Sequence, residues 1–191
     1  MGAEQEKEEG TTVGIRATVG LEPWGPRDFP VLERSNTPAM TVYLGGPESA
    51  EKLATRHAKY LRLVESGEAA MFTVHVDSMA DAVGSVGYWQ TVWRDAPVYE
   101  CGWSIATPHQ GRGYASAALA ACVDHAVDHG DRDLLVAFPR TDNAASNALC
   151  RAGGFELSGV EDAEYPPGNP IRVHAWVLDL AERRSNHRHP G

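Results

Sequence analysis

A chain of 191 residues, 42% of them hydrophobic, is long enough to enclose one sizeable core, and a single domain is the default. Its formal charge of −9 and pI of about 5.3 argue against a nucleic-acid or anionic-membrane binder. No apolar run approaches the roughly 18 residues of a membrane span. The three cysteines, Cys101, Cys122 and Cys150, form neither a CxxC pair nor a disulfide framework, and the eight histidines have no ligand spacing. Those patterns give no metal site and fit a reducing, cytoplasmic setting.

In chain order, residues 1–12 read as a disordered acidic arm without the apolar stretch of a signal peptide. Val13–Leu21 predicts a first strand through the alternation of Ile15, Ala17 and Val19, with Glu22–Pro26 as a turn. Arg27–Ser35 predicts a helix with Phe29, Val31 and Leu32 inward. Thr37-Pro38 opens a short helical segment that Gly45-Gly46-Pro47 breaks. Ser49 caps a longer helix whose stripe is Leu53, Ala54, His57, Tyr60, Leu61 and Val64. An antiparallel pair follows, Met71–Asp77 and Val83–Gln90, then a loop through Asp95. In the strand Val98–Ile105, Tyr99, Cys101, Trp103 and Ile105 face one way, and Val98, Glu100, Gly102 and Ser104 the other.

Downstream, Leu119, Cys122, Val123, Ala126 and Val127 form one helical stripe, with Asp124, His125, Asp128 and His129 largely outside it and Gly130 as the C′ glycine. Asp133–Phe138 is apolar throughout, as in a strand covered on both faces. Asp142 or Asn143 caps a helix over Ala144–Ala152. Strands Phe155–Val160 and Ile171–Leu180 flank a polar loop, Glu161–Pro170, and 181–191 reads as a disordered tail. This order predicts an α+β fold, a mixed and mostly antiparallel sheet with helices on both faces, as one domain over residues 13–180.

The informative stretch joins the central strand to its helix: Gln110-Gly111-Arg112-Gly113-Tyr114-Ala115. Glycines at 111 and 113 let a ligand approach the backbone, free N–H groups of a first helical turn point at it, and the helix dipole and Arg112 favour negative charge. The implied ligand carries a phosphate or diphosphate. Ser116 breaks the third position of a Rossmann fingerprint, and no Gly-Lys-Ser/Thr of a Walker loop is present.

The pattern Gln-x-x-Gly-x-Ala of Gln110, Gly113 and Ala115 follows Glu100-Cys101-Gly102-Trp103 and precedes Asp142-Asn143-Ala144-Ala145-Ser146 and Gly153-Gly154-Phe155. Together these resemble the GNAT N-acetyltransferase superfamily, in the branch with ribosomal-protein alanine acetyltransferases, over roughly residues 14–180. The resemblance implies a GNAT-like sheet whose parallel pair, Val98–Thr107 and Asp133–Phe138, splays apart. It implies acetyl-CoA as cosubstrate and direct transfer to a primary amine, of a small molecule or a protein N-terminus. By the same resemblance, Gln110, Gly111, Arg112, Gly113, Tyr114 and Ala115 hold the diphosphate, and the backbone of Ile105, Ala106 and Thr107 pairs with the pantetheine arm. Asn143 contacts that arm, with Ser146 and Asn147 nearby. Homodimers are common in the family, and the sequence leaves the oligomeric state open.

For the base, Glu100 is the first candidate: a carboxylate inside a packed strand is costly unless paired or functional, and Gly102 and Ser104 beside it leave room. A salt-bridged structural Glu, or one that binds the acceptor ammonium, is the alternative. Many relatives carry a Glu on the next parallel strand, where this chain has Leu135, Val136 and Ala137. The family's acid, a Tyr, falls on Cys150, with Ser146 as a second candidate. Tyr88, Tyr165 and His174 are candidates to line the acceptor pocket. Because the family's Glu and Tyr are missing, a non-catalytic acyl-CoA-binding module is the second reading.

Overall fold

The hairpin at residues 84–105 sets the geometry of the sheet. The computed structural model describes residues 18–188. Its strands are β1 (Gly20–Pro23), β2 (Ala69–His75), β3 (Gly84–Trp93), β4 (Ala96–Ile105), β5 (Leu134–Ala137), β6 (Glu156–Glu164) and β7 (Pro170–Asp179). Its helices are α1 (Phe29–Ser35), α2 (Pro38–Thr41), α3 (Ala50–Glu65), α4 (Tyr114–His129), α5 (Ala144–Ala152) and α6 (Leu180–Arg188). The sheet order is β1-β2-β3-β4-β5-β7-β6. Neighbours run antiparallel except β4 and β5, which are parallel. This is the expected α+β architecture.

Strand periodicity sorts side chains onto two faces. Phe72, Val74, Val86, Tyr88, Tyr99, Cys101 and Ile105 pack with Leu119, Cys122, Val123 and Ala126 of α4. On the opposite face Ala69, Met71 and Trp89 pack with Trp24, Val31, Leu32, Leu53 and Tyr60 of the α1–α3 layer. Fully buried residues such as Leu119 and Leu135 each contribute about 1.5–3 kcal/mol. All five residues of the predicted α4 stripe are buried.

Several boundaries differ from expectation. Glu22 and Pro23, read as a turn, pair with β2. The acidic arm and residues 13–17 of the predicted first strand lie outside the described residues. β3 runs on to Trp93 and turns through Arg94 and Asp95, both with positive φ (50° and 62°), in the two-residue hairpin manner. β6 continues to Glu164, so the loop shrinks to five residues. Gly130 has φ −83° rather than the left-handed C′ geometry. It is small because a Cβ there would lie 2.5 Å from the Ala126 carbonyl oxygen and 2.8 Å from the Tyr99 ring. His125 is half-buried and packs edge-on against Phe72.

Over 181–188 the predicted disordered tail gives way to α6, which begins at Leu180, and residues 189–191 of that tail lie outside the described residues. Leu180 is fully buried. Arg184 donates to the carbonyls of Val127 and Arg132 and pairs with Asp133 at 3.3 Å. A polar helix with one buried apolar residue carries little periodic signal, which is why the sequence conceals it.

Candidate active site

The parallel register of β4 and β5 covers two pairs, Tyr99–Leu135 and Glu100–Val136. Beyond it the strands part. β4 stays with β3 as far as the Ile105–Gly84 pair. The chain after β5 follows β7 instead: His174 N–H donates to the Pro139 carbonyl at 2.9 Å, and Thr141 N–H to that of Arg172 at 3.0 Å. A slot therefore opens between the end of β4 and the residues leading into α5.

At one end of the slot lies the glycine loop. Pro108 sits in a single 3-10 turn, Thr107–His109. The Gln110 side chain folds back and donates from Nε2 to the Ile105 carbonyl at 2.8 Å. Gly111 and Gly113 have φ of 73° and 80°, a conformation that side chains disfavour. The first intrahelical bond of α4 is Ala117 N–H to Gly113 C=O, 3.0 Å. The N–H groups of Tyr114, Ala115 and Ser116 thus have no intrahelical acceptor, and no side chain caps them. With the positive end of the dipole and the exposed cation of Arg112, they form a donor set suited to a diphosphate. A Cβ on Gly111 would meet nothing within 4 Å, so the space before the loop is open. The half-buried Tyr114 and Ala115 side chains pack on the main core, leaving their N–H groups to serve a ligand.

Other expected contacts are occupied by the protein itself. Ala106 N–H donates to the Val83 carbonyl at 2.9 Å, while the carbonyls of Ala106 and Thr107 accept from His109 and Gln110 N–H groups. Across the slot, Asn143 caps α5, its Oδ1 accepting from Ser146 N–H at 3.1 Å. Asn147 is 7% exposed and its amide is fully used. Nδ2 donates to the carbonyls of Arg140 and Asn143, and Oδ1 accepts from Trp176 Nε1 at 2.8 Å with His174 Nδ1 at 2.7 Å. Asn147 and His174 are thus a bracket tying α5 to β7. The available signal was an asparagine sharing the buried face of α5 with Cys150.

Glu100 sits at the last parallel pair, opposite Trp89, on the face covered by the α1–α3 layer. Burial pushes its carboxyl pKa up, offset in part by the Trp89 indole N–H and the Lys59 ammonium. The room expected beside it at Gly102 is filled: a Cβ there would lie 3.1 Å from the Trp89 ring. Tyr88 lies on the other face, buried, with its hydroxyl 2.9 Å from His125 Nδ1 and its ring edge-on to Tyr99. It does not share a pocket with Glu100. Cys150 is fully buried in the α4-side core, and burial pushes its thiol up to about 12. A thiol near 8.5 was the premise for an acid there.

Tyr165 accepts a hydrogen bond from Arg56 Nη2, on α3, at 3.0 Å. The hairpin tip reaches β6: Trp93 Nε1 lies 3.1 Å from both Glu161 oxygens, and Arg94 donates to the same carboxylate at 2.8 Å and to Ser158 Oγ at 3.0 Å. The Trp93 ring also stands 6.1 Å from that of Phe138. Sequence reading missed this brace, because Glu161 sat in an expected loop. Among the described residues there is no group of three or more His, Cys, Asp or Glu that could hold a metal, and no helix long and apolar enough to cross a membrane.

Residues 18–156 match the family described as "Acetyltransferase (GNAT) domain". The ribosomal-protein-serine acetyltransferase of Escherichia coli (strain K12) is 28% identical over 120 residues, which is 61% of this chain and 65% of that protein's length. Among solved structures, the apo ribosomal L7/L12 alpha-N-protein acetyltransferase RimL superposes with a TM-score of 0.71 at 24% identity, covering 85% of this chain and 90% of that one. Spermidine N-acetyltransferase from Vibrio cholerae, in complex with CoA and spermine, gives a TM-score of 0.71 at 16% identity, covering 85% and 96%. At these identities the structural likeness speaks for the fold.

Proposed function

Because the chain belongs to the GNAT acetyltransferase family, we propose that it is an acetyl-CoA-dependent N-acetyltransferase whose acceptor is a primary amine of a small molecule or a protein N-terminus. The observation that carries this is the loop at the mouth of the slot: uncapped N–H groups at the start of α4, held open by two left-handed glycines, with clear space before Gly111. Neighbours solved with CoA or acetyl-CoA, RimL among them, support the same cosubstrate. Acetyl-CoA supplies an activated thioester.

The chain's own residues divide the remaining work. The N–H groups of Gly113 through Ser116, with Arg112, bind and fix the diphosphate. Asn143 and Ser146 line the far wall, where Asn147 and His174 hold α5 in register. Glu100, with its pKa raised by burial, takes a proton from the acceptor ammonium or from a water next to it. Cys150 has no part, since moving a proton from a thiol at about 12 to a leaving thiolate of ordinary basicity near 8.5 is uphill. The Ser146 hydroxyl, half-buried on the first turn of α5, is placed to hydrogen-bond the departing thiolate, which takes its proton from water. Most of the rate then comes from positioning and dipoles.

The test is thiol release from acetyl-CoA against a panel of amines and N-terminal peptides, with calorimetric acetyl-CoA binding on the same samples. Binding with amine-dependent thiol release is the expected result. Absence of binding would remove the loop argument. Binding without release from any amine would favour the non-catalytic module.

A further inference from the structure

Two loops meet beside α3, the helix whose Lys59 ammonium acts on Glu100. One is the segment from Val42 to Ser49, between α2 and α3. The other is the β6–β7 loop, Tyr165–Asn169. A cleft lined by Leu44, Lys52, Tyr165 and Pro166 lies between them. Each loop is stiff in itself. Glu48 is pinned through its backbone, its N–H donating to Asn36 Oδ1 and its C=O accepting from Asn36 Nδ2, both at 2.8 Å. The β6–β7 loop is closed by Tyr165 N–H to Asn169 C=O at 2.9 Å and by Asn169 Nδ2 to Tyr165 C=O at 2.8 Å.

One side chain joins them. Arg56 Nη2, on α3, donates both to Glu48 Oε1 at 2.8 Å and to the Tyr165 hydroxyl at 3.0 Å. The Arg56 side chain is 28% exposed. Burial opposes its charge, but Glu48 and the neighbouring Tyr60 and Tyr165 outweigh this and hold it protonated. Tyr60 continues the chain inward, edge-on to the buried Trp24 at 5.5 Å. The two loops are therefore referred through one guanidinium to the α1–α3 core. Close approach at a second point reinforces this: a Cβ on Gly45 would lie 2.6 Å from Pro166 Cδ.

We propose that Arg56 is a positioning residue that clasps these two loops and so fixes the aperture through which the amine acceptor reaches Glu100. This rests on the transferase reading above. The clasp touches neither the glycine loop nor the slot, so it governs acceptor binding and leaves acetyl-CoA binding alone.

Tyr165→Phe deletes one hydroxyl and leaves the ring, and Glu48→Gln keeps a hydrogen bond but removes the charge that attracts Arg56. Both are to be compared with the wild type by amide hydrogen exchange on the protein alone, by acetyl-CoA calorimetry, and by kinetics with the best amine of the panel. A hydrogen bond to a charged donor corresponds to about a tenfold change in an equilibrium. The expected result is about tenfold faster exchange at residues 165–169 in Tyr165→Phe and about tenfold higher acceptor KM in both variants. Acetyl-CoA affinity and kcat should stay within about twofold, a margin set by the small worth of ordinary surface changes. Unchanged exchange, or KM values for both substrates rising together, would overturn the clasp. A wild-type protein that does not bind acetyl-CoA would overturn the transferase reading first, and is recognised before any variant is compared.

Discussion

Glu100 shows how burial and chemistry pull in opposite directions at a single residue. Its raised pKa means that the folded protein prefers the protonated form. The associated stability is fully present below the unfolded carboxylate value of about 4.3 and is lost as pH rises through the raised folded value. At pH 7, above the unfolded value, the wild type is therefore destabilised by its buried carboxyl in a way that Glu100→Gln is not. The variant should melt higher than wild type at pH 7, with the gap closing below about pH 4, as read by calorimetric scans across pH. Its kcat should fall about 10²-fold or more, and the wild-type rise of rate with pH should flatten. A variant with full turnover would take Glu100 out of the chemistry. The sequence pointed to Glu100 because a carboxylate in an apolar strand is a local anomaly. It misplaced Tyr88, Cys150, Asn147 and His174 because which face or partner a side chain meets depends on packing that no local pattern encodes.

At the level of elements, the strand–loop–α4 unit was legible because its signals lie within about 30 consecutive residues: alternation, a proline stop, two glycines and a helical stripe. Strand lengths were not. β3 and β6 were read three to four residues short, since their far ends exist through pairing with distant partners and not through their own composition. The glycine loop makes a sharp prediction. Gly113 precedes the first helical residue with φ of 80°, so Gly113→Ala strains the backbone by about 1–2 kcal/mol and tilts the first N–H groups. We expect acetyl-CoA affinity to drop at least tenfold in calorimetry while the melting temperature falls by only a few degrees, as a strain of that size implies for a chain of this length. An equal affinity would show that the loop's backbone is not what meets the ligand.

Across the whole molecule, the α+β class and the splayed parallel pair were readable from element order and resemblance. The brace between the β3–β4 hairpin and β6 was not, because it joins residues 64 or more apart in sequence. Its importance follows from the two-pair contact between β4 and β5, which is a thin seam for a seven-stranded sheet. In the wild type, amide exchange of β1–β4 and of β5–β7 should report one common opening. Glu161→Ala, which strips Trp93 and Arg94 of their shared acceptor, should let β5–β7 exchange faster than β1–β4 and broaden the thermal transition. Uniform acceleration of both halves would mean that the seam alone unites them.

The splay acquires a different meaning once that brace is counted. A sheet parted along one line is by default a hinge, free to gape and admit cargo of varied girth. Pinned at Glu161 on one side and bracketed by Asn147 on the other, this one behaves as a slit of set gauge. Widening such a slit would mean breaking the sheet in two.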